Sequence, residues 1–87
     1  ADYFNVNVYP NPFTNTAQIT FRLSTAENVR LTINNALGQE IIVLKEGTLS
    51  AGSYNINWTP ENLQSGVYWY SLQAGDKRVV NKIVLIK

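Results

Sequence analysis

Apolar and polar residues alternate along this chain in short runs, and no run carries a helical period. Ile19, Phe21 and Leu23 alternate with Gln18, Thr20 and Arg22. Val29, Leu31 and Ile33 alternate with Arg30, Thr32 and Asn34. Tyr54, Ile56 and Trp58 alternate with Ser53, Asn55 and Asn57. Successive side chains of a strand leave opposite faces, so a period of two with one apolar set predicts half-buried strands. Two further runs fit the pattern: Phe4, Val6 and Val8 near the start, and Val67 to Leu72 later. Turn signals separate the runs. Asn34 to Gly38 and Ala74 to Lys77 are hairpin turns in which Asn and Gly tolerate positive φ. About seven strands at spacings of roughly 10–12 residues predict an all-β fold, an immunoglobulin-like antiparallel β-sandwich. A small barrel is the alternative. The 87 residues suffice for one domain over residues 1–87 and no more.

Three segments read differently. Tyr9-Pro10-Asn11-Pro12-Phe13 interrupts the alternation with two prolines. Proline fixes its own φ and biases the preceding residue toward extended geometry, so Tyr9 and Asn11 are both restrained. The segment is expected to be a stiff crossover between two sheets, with Phe13 plugging one end of the core. Glu40 to Leu44 is a less regular strand, followed by a loop bounded by Lys45-Glu46-Gly47 and Ser50-Ala51-Gly52. Thr59 to Ser65 is a loop with room for one helical turn.

Chemistry is sparse. The chain has no cysteine and no histidine, which removes thiol chemistry, disulfides and the commonest general base and metal ligand. Asp2, Glu27, Glu40, Glu46, Glu61 and Asp76 show no opposed pair of the kind that glycoside hydrolysis needs. No Ser-x-x-Lys spacing offers a nucleophile with a base, and the five glycines stand singly at turns. We therefore expect no enzyme, no cofactor and no metal; a calcium site at Asp2 or Asp76 is the one metal alternative. Net charge is +1 and the seven cations are scattered, so no nucleic-acid surface is expected. No apolar run approaches the ~20 residues of a membrane-spanning helix.

The aromatics are the better binding candidates. If Tyr68, Tyr70 and Leu72 face the core, Trp69 faces solvent, where a tryptophan can stack on a sugar or dock a partner. Trp58, in register with Tyr54 and Ile56, is expected in the core.

An ordered set of motifs runs through the chain. It comprises the opening YPNPF, IxFxLxxxxxVxLxIxNxLGQ from Ile19 to Gln39, AGxYxIxW from Ala51 to Trp58, SGVYxYxL from Ser65 to Leu72, and the terminal KIVLIK. The set resembles the C-terminal sorting domain of the type IX secretion system of Bacteroidetes. The resemblance implies an immunoglobulin-like sandwich that follows a cargo domain. Such a domain carries the cargo from the periplasm through an outer-membrane translocon to the cell surface or beyond. It is then commonly removed by a sortase-like peptidase. On this resemblance Gly66 and Tyr68 match a Gly-x-Tyr motif, and Lys82, Val84, Ile86 and Lys87 match the terminal recognition motif. Pro10, Asn11 and Pro12, with Phe13, match the opening motif. The implied partners are the translocon, its shuttle and the peptidase. The flagellar hook-capping protein's immunoglobulin-like domain shares the Gly-x-Tyr strand. A carbohydrate-binding or accessory module, with Trp69 joined by Tyr3 or Tyr9, and a structural module of an extracellular or flagellar assembly are the alternative functions.

The last run, Arg78 to Ile86, is apolar on both faces. Such a strand either sits centrally in a sheet or awaits a partner, to which it can offer a backbone edge by strand addition.

Overall fold

The computed structural model describes residues 6–87. Seven strands follow one another: β1 (Asn7–Tyr9), β2 (Ala17–Leu23), β3 (Glu27–Asn34), β4 (Glu40–Leu49), β5 (Gly52–Trp58), β6 (Gly66–Ala74) and β7 (Lys77–Leu85). No helix occurs among the described residues. The strands form two antiparallel sheets, ordered β1-β2-β5 and β4-β3-β6-β7. The expected β-sandwich is therefore the observed fold, with the three-plus-four division of an immunoglobulin-like arrangement. Phe4 and Tyr3 lie outside the described residues, as does Asp2.

The core is the set that the alternation selects. Ile19, Phe21 and Leu23 of β2 meet Val29, Leu31 and Ile33 of β3, Tyr70 and Leu72 of β6, and Ile83 and Leu85 of β7. The aromatic rings add specific contacts: Phe21 stacks on Tyr54 at 5.3 Å between ring centres. Asn7, Asn55 and Asn57 lie on exposed strand positions, as the alternation requires.

Turn chemistry closes the hairpins. Between β3 and β4, the Asn35 side chain accepts from the backbone N–H groups of Leu37 and Gln39, both at 2.9 Å. Gly38 takes a φ of 87° there, a conformation that costs other residues. Gly75, at φ 62°, and Asp76 join β6 to β7.

Three local expectations are corrected. β4 runs through Lys45, Glu46 and Gly47 to Leu49, where a loop was expected. Its pairing with β3 slips twice, between Leu31 and Thr32 and between Ile33 and Asn34. Each slip leaves one extra residue on β4, which breaks the period of two and hides the strand's length in the sequence. Thr59 to Ser65 contains no helical turn. The YPNPF segment is not a one-way crossover: it reaches β7 of the other sheet but returns, because the strands it joins, β1 and β2, pair directly in one sheet.

Candidate docking site at the C-terminal strand

The two ends of the described chain meet. β7 is an edge strand of the four-stranded sheet, not a central one. After β1 the chain leaves its own sheet and runs alongside β7 before returning to β2. Pro10 and Pro12 both follow cis peptide bonds. Neither proline has an N–H to offer, so the contacts fall to Asn11 and Phe13. The Asn11 Nδ2 donates to the Lys82 carbonyl at 3.1 Å, and its Oδ1 accepts from the Val84 N–H at 3.0 Å. One side-chain amide thus stands in for a peptide group of a neighbouring strand. Phe13 continues the ladder: its N–H donates to the Val84 carbonyl at 2.9 Å, and its carbonyl accepts from the Ile86 N–H at 2.8 Å. The outer backbone edge of β7 is therefore occupied from Lys82 to Ile86. The expectation that this stretch offers its edge for strand addition is overturned there.

Beneath this clamp lies an aromatic stack. Phe13 is fully buried and tilts against Trp58 at 5.3 Å. Trp58 meets the edge of Tyr68 at 5.9 Å. Tyr68 is buried, and its hydroxyl donates to the Gln64 carbonyl at 2.7 Å. That bond steadies the 59–65 loop, which in turn holds the chain's last residue. Ser65 Oγ accepts from the Lys87 N–H at 2.8 Å, and the Lys87 ammonium reaches the Glu61 carbonyl at 3.4 Å. Gly66 begins β6 beside this loop and pairs with Leu85.

The residues singled out from the sequence therefore divide in two. Phe13 and Tyr68 are internal supports. Lys82 and Val84 fall on alternate positions of β7, on the solvent side of the sheet, with Trp69 of β6 directly opposite Lys82, and Ile86 is exposed just past the strand's end. Trp69 is 38% exposed, as expected for the neighbour of a buried Tyr68 and Tyr70. Val67 and Val80 share that face and were not singled out. Their place in the alternation, opposite Val84 and Ser71, is the signal that could have found them.

A family model described as the secretion system C-terminal sorting domain matches residues 7–87. The chain belongs to this family. It is a type IX secretion sorting domain, a kind that directs export to the cell surface or the extracellular space. No curated protein and no solved structure matches the chain.

Other features of the sorting domain offer less. A groove of about 420 Å³ opens between β4 and the 59–63 loop, lined by Ile41, Ile42, Leu44, Pro60 and Leu63 with Glu61 as its one acid. On the far half of the four-stranded sheet, Arg30 forms a two-pronged pair with Glu40 at 2.7 and 2.9 Å and reaches Glu46 at 3.1 Å. The hydrogen bond from Arg30 holds the Glu40 carboxyl below its ordinary range. The cause is an exposed ion pair, so the shift marks no catalytic group. Among the described residues, no three acids or other ligand-type side chains gather for a metal. Tyr9 and Trp69 lie on strands of different sheets, so they do not form the single aromatic row that a sugar-binding surface needs.

Proposed function

We propose that the chain is a non-catalytic sorting signal, one domain over residues 1–87, that addresses an N-terminally attached cargo to the type IX machinery. The cargo passes through the periplasm, engages the outer-membrane translocon and its shuttle, and is then freed when a sortase-like peptidase removes the domain. The family match over residues 7–87 carries this reading. The clustered placement of the opening motif, the Gly66–Tyr68 segment and the terminal motif supports it, because three segments distant in sequence build one end of the sandwich. In this reading Lys82, Val84, Ile86 and Lys87 are the recognition residues, Gly66 and Tyr68 hold the loop that fixes Lys87, and Pro10 to Phe13 hold the strand.

The test is a fusion. A reporter with a Sec signal and residues 1–87 at its C-terminus should reach the surface in a type IX-competent strain. Removal of Lys82 to Lys87 should leave the reporter in the periplasm. Intact reporter retained with the full domain attached, in every such strain, would sink the reading.

A further inference from the structure

The solvent side of the four-stranded sheet is divided by charge. Its β3–β4 half carries Arg30 paired with both Glu40 and Glu46, a set with one net negative charge. Its β6–β7 half carries no carboxylate on either strand's outward positions. Val67, Trp69, Val80 and Ile86 are exposed there at 40, 38, 50 and 48%. Two cations stand among them. Arg78 donates to Ser71 Oγ at 3.0 Å and pairs with no acid, and the Lys82 ammonium has no ion-pair partner among the described residues.

We infer that this β6–β7 half-face is the surface that the secretion machinery grips, and that the occupant is a protein surface with an apolar centre rimmed by Asp and Glu. The inference rests on the sorting-signal reading and adds to it a face and a partner chemistry. A tryptophan among β-branched residues on a flat face has the composition of an interface centre. Cations with no acid of their own on that half of the face are matched by carboxylates from outside. The backbone edge from Lys82 to Ile86 is already bonded to Asn11 and Phe13. A partner at this end of the strand therefore meets side chains, not main chain.

An anionic bilayer is the other surface of suitable charge. Each cation near such a bilayer adds only a modest attraction. Two cations thus fall well short of stable anchoring, which takes an acyl chain together with a second signal. A protein surface also uses the apolar side chains, which a headgroup layer contacts only at its boundary.

The test uses the 87-residue chain at the C-terminus of a Sec-targeted reporter in a type IX-competent strain. A photo-crosslinking residue is placed at Val80, and at Asn55 on the other sheet as a control. The Val80 probe, and not the Asn55 probe, should capture a protein of the secretion machinery through a peptide that carries Asp or Glu beside apolar residues. Arg78→Glu combined with Lys82→Glu should lower surface reporter at least tenfold, because the reversed charges would face like charges across the interface. Lys82→Arg should retain export. Thermal melts of the purified chains identify any variant that has lost its fold, and Trp69→Ala, at a part-exposed position, provides a second variant that should export poorly while folded. Equal capture from Asn55, crosslinks to lipid alone, or unchanged export of a folded double-reversed chain would each overturn the inference. Failure of the unaltered fusion to reach the surface would instead remove the sorting-signal reading. Export that ignores the charge reversal removes the surface assignment alone.

Discussion

Asn11→Ala tests the clamp directly. The substitution removes the donor to the Lys82 carbonyl and the acceptor for the Val84 N–H. A hydrogen bond of this kind contributes about 1 kcal/mol net, so two give ~2 kcal/mol as a ceiling. Asn11 is exposed, so water replaces part of what is lost, and the expected cost is ~1–1.5 kcal/mol. In a domain of this size that lowers Tm by roughly 4–12 °C. A melt followed by circular dichroism reads the global cost, and amide hydrogen exchange reads the place. Exchange at Val84 should accelerate, and Ile86 should follow because Phe13 holds it through the same segment. Ile83 and Leu85 should stay protected, since alternation turns their N–H groups toward β6. Asn11→Asp keeps an oxygen for the Val84 N–H but loses the donor, so its Val84 exchange should lie closer to that of the unaltered chain. Unchanged exchange at Val84 in Asn11→Ala would refute the assignment of Asn11 as a surrogate strand.

Three other outcomes are expected. Trp58→Ala should cost about 3–5 kcal/mol in urea denaturation as a core truncation, because Trp58 is 3% exposed between Phe13 and Tyr68; Trp69→Ala should cost far less. Glu40 is held below its ordinary value of 4.5 by the Arg30 hydrogen bond, so its contribution is present above that value and is lost as pH falls through the lowered one. An acid titration of stability should therefore be shallower in Glu40→Gln, and added salt should shrink the difference. Gly75→Ala should cost ~1–2 kcal/mol, the penalty of a left-handed residue with a side chain. Its new Cβ would stand 2.8 Å from Glu27 Oε1, but that flexible carboxylate can move aside. Chemical denaturation that finds no loss would show that the turn adapts.

The sequence exposed the sandwich where one face is apolar and the ladder is regular. Ile19, Phe21 and Leu23, or Tyr68, Tyr70 and Leu72, declare their face by alternation alone, and all are buried. β4 escaped because its two bulges set Ile41, Ile42 and Val43 in succession on an exposed strand, and because Gly47 reads as a turn residue. The aromatic at position 69 was legible as soon as its neighbours were assigned. The clamp was not. An asparagine between two prolines reads as a corner, and nothing local reveals that its amide is matched to backbone groups of β7. A clue existed, however. With both prolines lacking N–H groups, a side chain was the available donor at the centre of that corner.

The Asn11 contacts span 71 and 73 positions of sequence. A tail that carried its address in a few consecutive residues would display it while unfolded, truncated or clipped. Here Lys82 and Val84 are braced on one side by β6 and on the other by the segment that follows the first strand. On the proposed reading the address lies on a folded surface, so a machine that reads it would test the integrity of the domain in the same act as it recognises the passenger.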